Sequence, residues 1–379
     1  MSLKIYLIAG EPSGDLLGSR VMRALKKENS KIQIFGVGGE TMTAEGLKSL
    51  FDIKDLSVMG FFEVLPNLPK ILRHFKEIQQ DIDRIQPDII MTIDSYSFSI
   101  RVHKMLKKHG CTIPHVHLVA PQVWAWNKKR AKIIGRFVDH LFCLLPNEPA
   151  YFTPYGMPTT FVGHPVIEGG ATRGNAAQFR KKYSIPSDKQ ILCMLPGSRQ
   201  NEINYLLDDF IQVASNLFEN NPDLFVVVPT VKTVGEKIEH KMAQWHVPHL
   251  VVYGETDRYN AFAASSAAIA ASGTVSLELA IAGVPHLIAY KMNPLTAKLA
   301  RLVLKIKYVN LLNLIEDKEI IPELLQENCT VPKLTATLYD LINHKKQNTK
   351  EALTKLGLHT KQLPSEKIAK TLIKLARKS

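Results

Sequence analysis

Three stretches of this 379-residue chain carry charged or hydroxyl side chains at the ends of apolar runs, where chemistry can be placed. In PDIIMTIDSYSFS (Pro87–Ser99), Asp94 directly follows an apolar run, which puts it at the carboxyl end of a strand. In open α/β sheets that end faces the ligand crevice. A carboxylate there either caps the next helix or, partly desolvated, acts as a general base. In LPGSR (Leu195–Arg199), Gly197, Ser198 and Arg199 fall between a strand and an amphipathic helix that begins near Glu202. Helix N-termini attract anions, glycine permits close approach, and a guanidinium fork suits phosphate oxygens. Taken alone, the stretch reads equally as a helix cap with an exposed arginine. A second loop, Ser272–Gly273–Thr274, opens another helix after the run Ala267–Ala271, and Glu278 lies about one turn inside it. Glu278 is either an acid favoured near a helix start or an acceptor for ribose hydroxyls. Two such loops on one sheet point to a nucleotide-diphosphate site.

A further turn, GEPSGD (Gly10–Asp15), follows the first apolar run. Glu11, Ser13, Gly14 and Asp15 form a surface for a polar ligand on the acceptor side, or else a dipole partner and a cap for the helix behind them. The turn is not G-x-G-x-x-G, so a nicotinamide cofactor is not indicated, and no other cofactor is called for. No paired carboxylates of a metal-binding kind stand beside the diphosphate loops, so no metal is expected.

The elements that position these residues alternate. Apolar runs at Lys4–Ala9, Ile32–Val37, Ile89–Ile93, His115–Val119 and His140–Leu144 read as buried strands with helical stretches between them. The pattern resumes at Ile191–Leu195, Leu224–Val228, Leu250–Val252, Ala267–Ala271 and His286–Ile288. Such alternation predicts parallel sheets covered on both faces, here in two doubly wound α/β domains. FVGHP (Phe161–Pro165) and GGATRGN (Gly169–Asn175) mark the boundary. The expected division is 1–168, 169–345 and a basic helical tail, 346–379, that packs back on the first domain.

Hydrophobic content of 45% and charged content of 22% fit a soluble globular chain. A net charge of +13 implies an acidic partner: nucleic acid, anionic lipid or a phosphorylated substrate. No apolar run reaches the roughly 18 residues that a bilayer span requires, and no signal-peptide pattern precedes the first strand. Cys111, Cys143, Cys193 and Cys329 are widely spaced, which fits reduced thiols and a cytoplasmic location. Ala120–Arg130 (APQVWAWNKKR) mixes indoles with basic residues. It reads as a loop pinned by buried tryptophans, with base stacking or a sugar or acyl wall as alternatives. Ser57–Phe75 is rich in large apolar residues, among them Met59, Phe61, Phe62 and Leu65, and ends in Lys70, Arg73 and His74. Pro66 and Pro69 are expected to prevent a continuous buried helix there. Core packing and contact with a bilayer interface both remain open. Asn293–Lys307 is a basic amphipathic helix in which Lys298, Arg301 and Lys305 lie off the apolar face, as on a solvated helix or a membrane-surface one.

Taken in order, GEPSGD, VMGFFEVLP, TIDSYSFS, PQVWAWNKKR, FVGHP, LPGSRQNEI, SGTVSLE and YVNLLNL resemble the lipid-A-disaccharide synthases, from about Leu3 to Leu325. The resemblance implies a GT-B fold, two Rossmann-like domains facing across a cleft. It also implies transfer of 2,3-diacylglucosamine from its UDP derivative to 2,3-diacylglucosamine 1-phosphate, giving a β-1,6 disaccharide at the inner face of a Gram-negative inner membrane. Carried over by position, Asp94 is the catalytic carboxylate, Arg199 and Glu278 belong to the UDP site, and Asn313 lies near it. Where the family has an IDSPDFN-like motif, this chain has Ser97 and Ser99, which leaves Asp94 the one carboxylate in that loop. The expected partners are the two acylated sugars, an anionic membrane surface and, as a further candidate, a second copy of the chain. Nucleic acid is not expected. A UDP-N-acetylglucosamine 2-epimerase of the same fold is the runner-up, and the apolar stretch Ser57–Phe75 argues against it.

Overall fold

The computed structural model describes residues 2–56, 61–124, 129–271, 273–303, 306–344 and 347–377; the side chains of 61–68, 295, 299, 300, 302 and 303 lie outside the description. The chain forms two units, Met1–Pro165 with His359–Ser379, and Val166–Leu358.

The first unit is built on β1 (Lys4–Ala9), β2 (Gln33–Val37), β3 (Ile89–Ile93), β4 (His115–Leu118), β5 (His140–Cys143) and β6 (Thr159–Phe161). All pairings are parallel, in the order β2-β1-β3-β4-β5-β6. Side chains alternate across a strand. Ile5, Leu7 and Ala9 accordingly enter one core layer, while Tyr6 and Ile8 enter the other. Burial on both faces is why β1 reads as a continuous apolar run, each large side chain contributing about 1.5–3 kcal/mol. The helices are α1 (Pro12–Glu28), α2 (Glu40–Ala44), α3 (Phe61–Ile85), α4 (Tyr96–Lys108), α5 (Lys129–Ile134) and α6 (Pro149–Phe152). Pro12 starts α1, where its fixed φ is already helical and its missing N–H costs nothing.

α3 corrects the expectation drawn from its prolines, because the helix runs unbroken through Pro66 and Pro69. Each proline deletes one intrahelical N–H bond, but Pro66 comes early in a 25-residue helix. The rest of the helix is held by Ile78, Ile82 and Ile85, all buried against the first sheet.

The second unit carries β7 (Gln190–Leu195), β8 (Leu224–Thr230), β9 (His249–Tyr253), β10 (Ala267–Ala271), β11 (His286–Tyr290) and β12 (Glu323–Leu325). These too are all parallel, in the order β12-β11-β10-β7-β8-β9. α7 (Ala176–Lys182) precedes them, and between them lie α8 (Gln200–Asn220), α9 (Lys232–Met242), α10 (Glu255–Ala264), α11 (Thr274–Ile281), α12 (Pro294–Val303) and α13 (Leu311–Glu316). They are followed by α14 (Val331–Asn343) and α15 (Lys350–Lys355). α8 buries Ile203, Leu206, Leu207, Phe210, Val213, Ala214 and Leu217, the stripe of an amphipathic helix.

α15 stays with the second unit, with Lys355 paired to Glu316 at 2.9 Å. The chain then returns to the first unit as α16 (Pro364–Ala376). There Ile368, Ala369 and Leu372 share a core layer with Val21, Met22 and Leu25 of α1. Lys27–Glu366 (2.8 Å) and Lys367 Nζ donating to the Phe161 carbonyl (2.6 Å) fasten the edges of this contact.

Each sheet has a point where its strand order reverses, β1/β3 in the first and β7/β10 in the second. Loops leaving adjacent strands there diverge to opposite faces and open a crevice at the carboxyl ends. GEPSGD follows β1 and Asp94 follows β3, while LPGSR ends β7 and SGT follows β10. All four candidate loops therefore sit at the two reversal points.

Candidate active site

At the β1/β3 crevice, Asp94 and Ser95 both adopt left-handed backbone angles, φ 57° and 43°. Two consecutive non-glycine residues in that region store strain, which the surroundings must hold in place. They are held from several sides. The Asp94 N–H donates to Leu118 O (2.9 Å), the Ser99 hydroxyl donates to the Asp94 carbonyl (2.7 Å), and the Ser13 hydroxyl donates to Asp94 Oδ2 (2.8 Å). The Ser95 N–H is shared by Asp94 Oδ1 (2.9 Å) and Glu11 Oε1 (3.0 Å). Asp94 is half-buried, and the exposed Ser13 lies beside it.

Glu11 holds its proton to higher pH than an ordinary glutamate, first through burial and then through the nearby charge of Asp94; the Ser95 N–H works against both. The TIDSYSFS loop supplies one carboxylate, as the sequence implied, but a second arrives from the loop after β1. Two acids converging from separate loops are able to share or exchange a proton.

The β7/β10 crevice is a cavity of about 370 Å³. Its walls include Gly197, Ser198, Arg199, Gly273, Thr274 and Glu278, joined by Arg258 of α10. Arg199 is 76% exposed. Glu278 Oε1 accepts from Arg258 Nη2 and from the Tyr259 hydroxyl, both at 3.1 Å. The Arg258 guanidinium also lies over the Tyr259 ring, 4.9 Å from its centroid. Burial, then the Glu278 charge, pushes the Tyr259 hydroxyl up to about 12, so it remains a donor to the carboxylate. The cavity therefore combines cationic side chains, a helix start and an oriented carboxylate, a set suited to a phosphorylated sugar-bearing ligand.

Arg258 and Tyr259 were not singled out in the sequence. They sit mid-helix in ETDRYNAFAA with no glycine or strand end to mark them. The one available signal was an Arg-Tyr pair on the element preceding the SGT strand.

Other candidates lie elsewhere. Asp15 is buried, and its carboxylate accepts from the N–H groups of Gly39 (2.7 Å), Thr41 (2.9 Å) and Met42 (3.0 Å) and from the Thr41 hydroxyl (2.7 Å). It caps α2 and has no capacity left for an acceptor sugar. Gly14 lies where a side chain would press on the Ile93 carbonyl, so it serves the close packing of α1 on β3. Asn313 is fully buried. Its amide donates to Ile321 O (2.7 Å) and Glu323 Oε1 (2.8 Å) and accepts from the N–H groups of Ile320 (2.8 Å) and Ile321 (2.9 Å). All four of its bonds stay within the segment 310–323, so its amide clamps that segment and is fully used there.

Ser272 and Met59 lie outside the described residues, as do Ala125–Lys128 of the tryptophan loop and Lys305. Phe61, Phe62 and Leu65 belong to α3, but their side chains lie outside the description. The basic end of that stretch is internally paired. Lys70 meets Asp55 at 2.5 Å, Arg73 meets Glu77 at 3.4 Å, and buried His74 bridges Asp55 and Glu77 while stacking on Phe51. No helix among the described residues is long and apolar enough to cross a membrane. Among them, no group of three His, Cys, Asp or Glu side chains is arranged to hold a metal ion.

Comparison with known proteins follows the same lines. The chain is 46% identical over 382 residues to a lipid-A-disaccharide synthase of Paramagnetospirillum magneticum, covering 98% of this chain and 97% of the relative. Among solved structures it resembles a Neisseria meningitidis UDP-GlcNAc 2-epimerase bound to UDP-GlcNAc, with TM-score 0.63, 12% identity and 100% of both chains covered. It also resembles Acinetobacter baumannii MurG, with TM-score 0.62, 14% identity and 98% and 99% covered. At such low identity these structures establish the fold, two Rossmann-like units of the GT-B class, and nothing about substrate. The profile of the lipid-A-disaccharide synthetase family matches residues 5–376, and on that match and the close relative together the chain belongs to this family of glycosyltransferases.

Proposed function

We propose that the protein is an inverting glycosyltransferase that moves 2,3-diacylglucosamine from UDP-2,3-diacylglucosamine to the 6-hydroxyl of 2,3-diacylglucosamine 1-phosphate. The products are the β-1,6 disaccharide 1-phosphate and UDP. The observation that carries this reading is the β7/β10 cavity, where Arg199, Arg258, Glu278 and the start of α11 surround one space.

In the proposed step, the acceptor oxygen attacks C1 of the donor sugar from the face opposite UDP. As the new C–O bond forms, the bond to the diphosphate oxygen breaks and UDP leaves with the electron pair. Asp94 takes the hydroxyl proton, and Ser13 and the Ser95 N–H hold its carboxylate in place. Glu11, kept protonated to higher pH, limits the negative charge beside that base. Arg199 and the N-terminal end of α11 stabilise the charge building on the leaving diphosphate. Glu278, held by Arg258 and Tyr259, accepts from the ribose.

Both substrates carry acyl chains, so the protein works as a peripheral enzyme on the anionic inner face of the inner membrane. Met59, Phe61, Phe62 and Leu65 supply the apolar contact. Leu72 of α3, 57% exposed, adds a further apolar side chain, and exposed Lys298 of α12 adds charge. Each such basic residue contributes about 1 kcal/mol at an anionic surface, screened by salt, whereas the apolar part is not.

The test is turnover of radiolabelled UDP-2,3-diacylglucosamine with the monophosphate acceptor in anionic vesicles. Labelled disaccharide 1-phosphate, with vesicle binding that weakens but persists as salt rises, is the expected result. A protein that ignores the vesicles at low salt and converts free UDP-N-acetylglucosamine to its 2-epimer would replace this reading with the epimerase one.

A further inference from the structure

The two loops of the β7/β10 cavity look alike in sequence, each a strand, a glycine and a helix start, yet they are occupied differently. At α11 the space is open, since a Cβ built on Gly273 would meet nothing within 4 Å, and Gly273 and Thr274 are exposed. At α8 the corresponding space is filled by the chain itself. Glu202, one turn into the helix, folds back so that Oε2 accepts from the N–H groups of Ser198 (2.9 Å) and Arg199 (3.2 Å). Its side chain is only 12% exposed.

Gly197 belongs to the same arrangement. Its φ of +119° suits glycine, and a Cβ there would collide with the Glu202 carboxylate. The close approach that this glycine permits is made by the protein's own acid. The second carboxylate oxygen, Oε1, faces Arg199 Nη1 at 3.5 Å, a loose tether that leaves the guanidinium over the cavity.

We infer that Glu202 is a positioning residue that occupies the anion place at the start of α8, so that a diphosphate in this cavity is held by the Arg199 side chain and not by the α8 main chain. The inference rests on the UDP-sugar reading for its consequence, although the occupation of the α8 N–H groups is independent of it. A diphosphate cannot share those two N–H groups with a carboxylate, because like charges at hydrogen-bond range repel strongly. Glu202 thereby confines the anion to the α11 side of the cavity and leaves one productive place for it.

The experiment uses pyrophosphate, which needs no nucleoside, on the full-length protein and on Glu202→Ala and Glu202→Gln. Glu202→Ala frees both N–H groups, so its pyrophosphate affinity should rise about tenfold or more, the gain expected of one or two charge-assisted bonds at a helix start. The Ser198 and Arg199 amide resonances should shift on titration in that variant and stay still in the parent. Gln keeps an acceptor but no charge, so Glu202→Gln should give a smaller gain, and it decides the matter if the alanine variant does not fold. With UDP-sugar, both variants should bind UDP at least as tightly as the parent while kcat falls about tenfold or more, because the diphosphate settles in the wrong place. A residue that only caps the helix would instead weaken binding or leave it alone.

Unchanged or weaker pyrophosphate binding in both variants overturns the assignment, as do Ser198 and Arg199 amides that respond in the parent protein. If the parent binds no UDP while the pyrophosphate results hold, the glycosyltransferase reading falls and the role of Glu202 stands.

Discussion

The reversal points of the two parallel sheets arise in different strand orders, β2-β1-β3-β4-β5-β6 and β12-β11-β10-β7-β8-β9, and end with opposite chemistry. At β1/β3 the loops bring together acids and hydroxyls, Glu11, Asp94, Ser13 and Ser95, on backbone held in left-handed angles. At β7/β10 they bring together Arg199, Arg258 and the start of α11, and the two carboxylates of the cavity are both engaged, Glu278 by Arg258 and Tyr259 and Glu202 by the N–H groups of Ser198 and Arg199. One corner is suited to accept a proton and the other to hold an anion. A displacement that releases a diphosphate needs both, and in this chain each is supplied by the loops at one sheet's reversal point.

Breaking the acidic corner should give the largest effect. Asp94→Asn preserves size and most of the hydrogen bonds but removes the base, so kcat should fall by about 10²–10⁴ while UDP affinity stays within about twofold of normal. Near-normal turnover would move the base to Glu11, whose carboxyl already shares the Ser95 N–H. Steady-state rates and UDP calorimetry on one preparation separate these outcomes.

Breaking the basic corner should cost less and act on a different quantity. Arg199 is mostly exposed, so Arg199→Ala should leave folding intact. A charge-assisted bond to phosphate is worth about 1.5–3 kcal/mol, so UDP binding should weaken about 10- to 100-fold, and turnover should slow with it. The contrast with Asp94→Asn is the point of the comparison: one variant loses turnover with binding intact, the other loses both. Activity abolished by EDTA and restored by magnesium would transfer the leaving-group role from Arg199 to a metal.

How far these corners could be read in the sequence depended on the kind of signal. The strands that were found, such as Ile89–Ile93 and Ala267–Ala271, are apolar runs buried on both faces. β6 (TTF) and β12 (ELL) were missed because three-residue edge strands have no room for a run. Asp94, Arg199 and Glu278 were legible because a strand end or a glycine turn marks the place. Arg258 was not, since it reaches the cavity from mid-helix through tertiary packing. Asp15 and Asn313 looked available for ligands because a sequence shows a polar side chain but not its partners, and both prove engaged mainly by backbone groups, distant by 24–27 and 7–8 residues. Glu202 shows the same limit from the other side. Its spacing gives a helix-start acid, but which N–H groups it takes is decided by the turn at Gly197, which the fold sets.

The last expected effect is on stability and leaves both corners untouched, and it tests whether a carboxylate on main-chain N–H groups behaves differently when buried. Glu148 Oε2 accepts from the N–H groups of Leu144 (2.9 Å) and Leu145 (3.0 Å), just beyond β5, much as Glu202 does beyond β7. Unlike Glu202, it is only 3% exposed. Burial raises its carboxyl to about 7, with the two N–H groups pulling the other way. The folded protein therefore binds this proton more tightly than the unfolded chain. The resulting stabilisation is fully present below about pH 4.5 and is lost as the pH rises through about 7. A shift of that size corresponds to about 3 kcal/mol over the interval. Glu148→Gln keeps an acceptor for the same N–H groups and carries no charge, so its unfolding free energy should change less between pH 5 and pH 8. The difference between the two proteins' curves isolates this group from every other titration. The measurement is urea unfolding at several pH values, with UDP affinity as a check that the second unit is unaffected. Parallel curves for parent and variant would mean that Glu148 is ionised throughout, and that a buried carboxylate on two main-chain N–H groups needs no proton to be stable there.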